Sequence, residues 1–71
     1  MNQCEQILDY MKRFGSISTM EAFTDLDITR LNSRIHDLRK EYEIKDKWEK
    51  RKNRLGQIKH YKRYFYHGKL E

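Results

Sequence analysis

The amino-acid sequence predicts an α+β fold, a three-helix bundle followed by a C-terminal β-hairpin. Apolar residues in the N-terminal half recur at the three- and four-residue spacings of a helix. After Glu41 the pattern changes to aromatic and β-branched residues that favour strands. The two strand-forming runs are separated by a polar segment, residues 50–57, that contains glycine. The predicted order is therefore three helices and then a hairpin.

The first predicted helix covers residues 3–13. Its apolar residues form one helical stripe: Cys4, Ile7, Leu8 and Met11. Gly15 suits the left-handed conformation that often ends a helix. Residues 16–18 are predicted to form an extended link or a brief strand that pairs with the later hairpin.

The second predicted helix starts near Thr19. Ser18 and Glu21 match a capping box, in which each side chain binds the backbone amide of the other residue. The helix is short, and residues 25–28 are predicted to form the turn that follows it. Asp27 suits this turn, since Asp tolerates a left-handed backbone.

Thr29 is predicted to cap the third helix. The residues expected to face the core are Leu31, Ile35 and Leu38, with Tyr42 continuing the same pattern. In the hairpin, Gly56 is free to adopt positive φ within the loop. The inward face of the second strand is left open, because residues 64–66 are all aromatic, which indicates either burial on both faces or a bulge.

Length and composition favour a binding module over an enzyme. A chain of 71 residues holds one compact unit, and 37% hydrophobic against 38% charged residues allows only a thin core. The sequence contains no Gly-rich phosphate loop and no recognisable nucleophile with its base. Cys4 is the single cysteine, so no disulfide can form within the chain.

The candidate zinc ligands, Cys4, His36, His60 and His67, have none of the compact spacings of metal motifs. We therefore expect no metal, no cofactor and no small-molecule substrate. No apolar run approaches the roughly 20 residues of a membrane span, so no membrane partner is expected and the cytoplasm is the expected location. The terminal Leu70 and Glu71 resemble a cloning scar that precedes an affinity tag.

The basic residues are unevenly distributed. Residues 1–40 carry six basic and six acidic side chains, whereas residues 41–71 carry ten basic and five acidic ones. The whole net charge of +5 thus lies in the hairpin half of the chain. Clustered Lys and Arg release condensed counterions when they meet phosphates, so this asymmetry points to a polyanionic partner. A merely solvated basic surface is the competing interpretation.

The polar side of the third helix is the first candidate site. Two short helices with a tight turn, followed by a hairpin, form the layout in which the later helix enters a major groove of DNA. Arg, Asn, Ser, Thr and Asp side chains can all pair with base edges. The candidate recognition residues are Thr29, Arg30, Asn32, Ser33, Arg34, His36, Asp37 and Lys40. The competing interpretation is an ordinary solvent-facing side of an amphipathic helix.

The hairpin loop is the second candidate site. Four positive charges fall on five consecutive residues at a predicted flexible tip, which suits contact with the DNA backbone or the minor groove. The candidate wing residues are Lys50, Arg51, Lys52, Asn53 and Arg54. The alternative is a loop whose charges only keep the protein soluble.

Five segments, residues 15–18, 28–31, 34–40, 52–56 and 61–64, resemble a family of small winged helix-turn-helix DNA-binding proteins of phages and prophages. The resemblance covers about residues 3–66. It implies a single winged helix-turn-helix domain over residues 1–69, with residues 70–71 outside it. One departure is Asp27, where that family usually has glycine, so a different or strained turn is expected there.

These observations lead us to expect sequence-selective binding of double-stranded DNA by a transcriptional regulator or an excisionase-like accessory factor. A small module buries little surface, so a homodimer or a cooperative assembly on DNA is expected, near the nucleoid of a bacterial host. The alternative is a winged-helix interaction module that docks on an acidic host or phage protein. A third interpretation is single-strand or RNA binding through the tyrosine-rich strand with Lys59, Lys62 and Arg63.

Overall fold

Three helices and a three-stranded antiparallel sheet make up the fold, as the sequence predicts. The computed structural model describes residues 2–70. In chain order the elements are α1 (Gln3–Phe14), β1 (Ser16–Ser18), α2 (Thr19–Leu26), α3 (Leu31–Leu38), β2 (Tyr42–Lys52) and β3 (Ile58–Lys69). Met1 of the predicted domain and Glu71 of the predicted scar lie outside the described residues. The Leu70 amide donates to the Glu41 carbonyl oxygen at 2.8 Å.

The ends of α1 and the start of α2 follow local signals. Gly15 takes the predicted left-handed conformation at the end of α1, with φ 85°. The capping box at α2 is also confirmed: the Ser18 hydroxyl accepts from the Glu21 amide at 3.1 Å, and the Ser18 amide donates to the Glu21 carboxylate at 2.9 Å. Asn2 and Glu5 form a second capping box at α1, which the sequence analysis did not identify.

The turn between α2 and α3 is shifted from its predicted position. α2 continues to Leu26, so Asp25 and Leu26 are helical and not part of the turn. Asp27 ends the helix with a left-handed backbone, and the amides of Asp27 and Ile28 donate to carbonyls of the last helical turn.

The prediction that Thr29 caps α3 is wrong. The residue at the cap position is Arg30, whose side chain makes no capping hydrogen bond. Ile28 and Leu31 are both buried, with exposed fractions of 2% and 1%, and the backbone between them stays non-helical at Arg30. Burial of these two residues therefore sets where the helix begins.

The predicted inward residues of α3 are buried, and they join a core that all six elements supply. The buried apolar residues are Ile7, Met11, Ile17, Ala22, Ile28, Leu31, Ile35, Leu38, Ile44 and Tyr64. Tyr42, predicted to extend the helical pattern, lies in β2 instead, where it is half-buried against this core. No helix within residues 2–70 is long and apolar enough to cross a membrane.

β3 is the central strand, between β1 and β2. The brief strand expected at residues 16–18 forms, and Ile17 lies opposite Tyr64 in β3. Tyr64 is buried and Tyr66 packs against the core, which settles the inward face of β3. The irregularity in pairing falls between Tyr42 and Ile44 of β2, and residues 64–66 pair regularly. Tyr64 and Tyr66 therefore serve as core residues.

The hairpin is longer than predicted and its loop is shorter. Lys50, Arg51 and Lys52 belong to β2, so only residues 53–57 connect the strands. The side chain of Asn53 closes this loop, because its Oδ1 accepts from the amides of Leu55 and Gln57, both at 3.0 Å. Gly56 has the expected positive φ, 80°.

Candidate nucleic-acid interface

The polar side of α3 is open to solvent. Asn32, Ser33, His36 and Asp37 are exposed, since the buried residues of this helix all lie on its opposite side. The tyrosines of β3 do not cover these polar residues. The helix therefore presents a continuous row of hydrogen-bonding side chains.

Three residues predicted for the recognition helix lie outside it. Thr29 and Arg30 precede the first helical residue, and Lys40 lies in the turn that follows Leu38. All three are exposed. Thr29 and Arg30 flank the start of α3, the end at which a helix lying in a major groove contacts base edges, whereas Lys40 flanks the other end.

Arg34 differs from the other predicted residues because it is half-buried. Its Nη1 lies 3.6 Å from the Asp37 Oδ2, one helical turn away. Its Nε is buried and has no hydrogen-bond partner among the described residues. Arg34 and Asp37 thus partly neutralise each other, and base readout by Arg34 would require that this ion pair be broken.

The structure brings the start of α3 close to the hairpin. A groove of about 450 Å³ separates them, lined by Thr29 and Asn32 on the helix side and by Trp48, His60 and Lys62 on the hairpin side. The Lys62 ammonium lies 5.3 Å above the Trp48 ring. Trp48 is 65% exposed. Trp48 and His60 were not among the predicted contacts, and Lys62 was predicted as a contact only in the single-strand interpretation.

The cations of the hairpin are distributed over both of its faces. Alternation places Lys50 and Lys52 on the face that continues from the core and Arg51 on the other face. None of these three, nor Arg54 in the loop, has an ion-pair partner in the part of the chain that the structure describes. These charges are thus available to an anionic ligand.

Lys59 extends this cationic surface. It lies directly opposite Arg51 in the β2–β3 pairing and is exposed. Like charges at directly opposed positions destabilise an antiparallel pair. Lys59 was predicted as a contact only in the single-strand interpretation, because its cross-strand pairing with Arg51 depends on the loop length, which was predicted incorrectly.

Asn53 has a different role from the other predicted wing residues. Its side-chain oxygen accepts two backbone hydrogen bonds, and its Nδ2 donates to the Gln57 Oε1 at 3.2 Å. These bonds hold the connection between the strands. The observed contacts of Asn53 are those of a residue that shapes the hairpin loop.

Arg63 is bonded within the protein and is not a free cation. Its guanidinium donates to Glu49 at 2.9 Å, to Glu21 at 2.8 Å and to the Ser16 hydroxyl at 3.1 Å. The hydrogen bond to Glu49 is the main reason that the pKa of Arg63 is raised, and the same bond lowers the pKa of Glu49. Arg63 therefore connects α2 and β1 to the hairpin.

Comparison with known protein families identifies a match over most of the chain. The family model described as a winged helix-turn-helix domain matches residues 2–67. Neither the curated proteins nor the solved structures give a match. The matched range includes the helices, the turn between α2 and α3, and nearly all of the hairpin.

Proposed function

The chain belongs to the winged helix-turn-helix domain family, and on this basis we propose that it binds double-stranded DNA sequence-selectively. Membership of this family supports DNA binding in general. In the proposed complex, the polar side of α3 lies in the major groove and reads base edges. The hairpin contacts the adjacent backbone or minor groove and supplies most of the affinity.

One observation carries this proposal: the start of α3 and the cationic hairpin border common grooves. Thr29 and Asn32 line one groove with Trp48 and Lys62, and Thr29 also lines a second groove with Arg51 and Arg54. A duplex that lies along the start of α3 is therefore adjacent to the hairpin as well. The exposed residues Asn32, Ser33 and His36 are the proposed base-reading side chains, with Arg30 at the helix start.

The biological role that we propose is transcriptional control or an excisionase-like accessory role in a phage or prophage, carried out at the nucleoid of the bacterial host. A single module of this size buries only about 600–1,000 Å² on DNA, which limits affinity and specificity. We therefore propose that two copies bind as a homodimer or cooperatively at neighbouring half-sites. A binding curve steeper than that of a single site, measured on the selected duplex, tests this assembly.

The test of DNA binding begins with selection of bound sequences from a random duplex pool, followed by titration of the selected and a scrambled duplex at several salt concentrations. Arg51→Ala and Lys52→Ala should weaken binding to both duplexes equally, and each lost phosphate contact should flatten the salt slope by about 1. Arg30→Ala should cost about 1–3 kcal/mol, mainly on the selected duplex.

Lys45→Ala is the matched control. Lys45 is exposed at the other end of β2 and pairs with Glu43 at 3.3 Å, so its loss should leave both affinities unchanged. The proposal fails if the pool yields no enriched sequence and the protein binds no duplex at moderate salt. Equal losses for Lys45→Ala and Arg51→Ala would also contradict it, because the hairpin tip would then contribute only general charge.

A further inference from the structure

A second groove, of about 1090 Å³, lies between α2 and the hairpin. Met20, Phe23 and Thr24 line its helical side, at the spacing that places residues on one face of a helix. Met20 is 52% exposed and Phe23 is 55% exposed. The outer face of α2 is thus apolar and turned toward the hairpin.

The hairpin side of this groove is strongly basic. Its Lys and Arg residues are Arg51, Lys52, Arg54, Lys59 and Arg63. Two acidic residues, Glu21 and Asp25, also line the groove, so five basic side chains stand against two acidic ones. Glu21 binds Arg63, and Asp25 accepts a hydrogen bond of 2.6 Å from the Tyr10 hydroxyl. Within residues 2–70, the other four cations have no ion pair.

The groove therefore combines an apolar helical face with an uncompensated positive wall. Exposed apolar patches on small domains mark interaction sites, and phosphate groups give Met20 and Phe23 nothing to pack against. A helix with apolar side chains at three- and four-residue spacing and carboxylates beside them complements both surfaces. We propose that the groove binds an acidic amphipathic helix of a partner protein.

The same cations, Arg51, Lys52 and Arg54, serve the DNA contact in the function proposed above. A bound acidic helix would neutralise them and occupy the space beside the hairpin. The partner and the duplex therefore exclude each other, and the partner releases the protein from DNA. This consequence rests on the proposed function, whereas binding of the helix does not.

The test is a selection of random 16-residue peptides displayed on a surface, with the full 71-residue chain as the target. Enriched peptides should be acidic, with apolar residues three and four positions apart. A synthetic enriched peptide, labelled and followed by fluorescence anisotropy, should bind Phe23→Ser or Met20→Ser at least tenfold more weakly than the unchanged protein. Lys59→Gln should weaken peptide binding, and the difference from the unchanged protein should shrink as the salt concentration rises.

Phe14→Ser is the matched control, because Phe14 is 68% exposed but does not line the groove. It should bind the peptide as the unchanged protein does. Far-ultraviolet circular dichroism of each variant checks that the fold is kept. We expect that it is, because the side chains of Phe14, Met20 and Phe23 are exposed. Failure to enrich acidic amphipathic peptides, or equal losses in the Phe14 and Phe23 variants, would overturn the proposal.

The competition with DNA is measured last, with the peptide added to the protein bound to a labelled duplex. Release of the duplex at peptide concentrations near its dissociation constant is expected. If Phe23→Ser weakens duplex binding as much as peptide binding, the groove belongs to the DNA interface and the proposal is wrong. If no duplex binds at all, the proposed function fails, but the peptide affinities still decide this inference.

Discussion

At the scale of single residues, Asp27 shows how local backbone energy shapes the turn between α2 and α3. Among the non-glycine residues from 2 to 70, Asp27 alone has positive φ, at 57°. The resemblance noted in the sequence predicted glycine at this position and therefore a different or strained turn. The turn still forms the two backbone hydrogen bonds that are typical of an α-helix ending in a left-handed residue. The effect of Asp at this position is therefore limited to the conformational energy of its left-handed backbone.

Asp27→Gly should stabilise the protein. The left-handed backbone costs most residues about 1–2 kcal/mol, and Asp, which tolerates it, lies at the low end of this range; the greater freedom of glycine in the unfolded chain offsets about 0.5–1 kcal/mol of the gain. The free energy of unfolding, measured with urea, should rise by roughly 0.5 kcal/mol. Asp9→Gly is the control, because Asp9 lies within α1, where glycine costs a few tenths of a kcal/mol more than Asp and the ion pair with Arg13 at 3.0 Å is also lost. Destabilisation by both changes would contradict this explanation.

At the scale of elements, the starts of α2 and α3 depend on different interactions. α2 begins at a capping box formed by its own residues. α3 has no side-chain cap and begins where Ile28 and Leu31 enter the core. A polar residue near the start of a helix therefore acts as a cap only when the packing of its buried neighbours allows the helix to begin directly after it.

Ser18→Ala and Thr29→Ala test this difference. Loss of the Ser18 hydroxyl removes the acceptor for the Glu21 amide and should lower the free energy of unfolding by about 1 kcal/mol. Thr29→Ala should change it by less than about 0.5 kcal/mol, since the side chain is exposed and makes no cap. Chemical denaturation of the two variants provides the comparison. A larger loss for the Thr29 variant would mean that Thr29 is the true cap.

The hairpin places two positive charges, Arg51 and Lys59, directly opposite each other, an arrangement that does not stabilise the fold. Lys59→Glu should create a favourable cross-strand pair with Arg51 and raise the free energy of unfolding by about 0.2–1 kcal/mol. The same change should weaken duplex binding, because it replaces a cation with an anion in the proposed contact surface. Thermal denaturation and duplex titration of one protein sample measure both effects. Tighter duplex binding by this variant would show that the hairpin face that carries Arg51 and Lys59 does not contact DNA.

At the scale of the whole molecule, ion pairs join elements that local signals leave separate. Arg39 follows α3 and donates to Asp46 in β2 at 2.9 Å, while Lys62 of β3 lies 3.5 Å from the same carboxylate. The hydrogen bond from Arg39 is the main reason that the pKa of Asp46 is lowered, and Lys62 adds to the effect. The pKa of Glu49 is lowered chiefly by its hydrogen bond from Arg63.

These carboxylates should make the protein sensitive to acid. A carboxyl group whose pKa is lower in the folded state stabilises it above the ordinary carboxyl pKa of about 4, and this contribution is lost as the pH falls through the folded value. The double variant Asp46→Asn, Glu49→Gln should therefore lose stability less steeply than the unchanged protein between about pH 5 and 2. Urea denaturation at several pH values measures this slope.

Glu43→Gln is the control for acid sensitivity. Glu43 is exposed, and within residues 2–70 its one ion pair is with Lys45 of its own strand, so the variant should keep the acid dependence of the unchanged protein. An unchanged slope in the double variant would show that other carboxylates determine acid unfolding.

The sequence by itself determined the order of the elements, the apolar faces of the helices, the glycine that ends α1 and the capping box of α2. Each of these depends on residues a few positions apart, whose spacing is visible in the chain. The concentration of basic residues in the hairpin half was visible for the same reason. These features were sufficient to predict the fold class and the two candidate surfaces.

Only the tertiary structure decided where α3 starts, how far the hairpin strands extend and which charges remain free. Arg34 and Arg63 read as cations like any other, yet one pairs within α3 and the other binds Glu21, 42 positions earlier in the chain. Trp48 lies opposite Lys62 and Lys59 lies opposite Arg51 in the hairpin, and sequence spacing does not reveal these cross-strand pairs. The physical reason is that burial and ion pairing depend on distances in space, which the chain acquires only when its elements pack together.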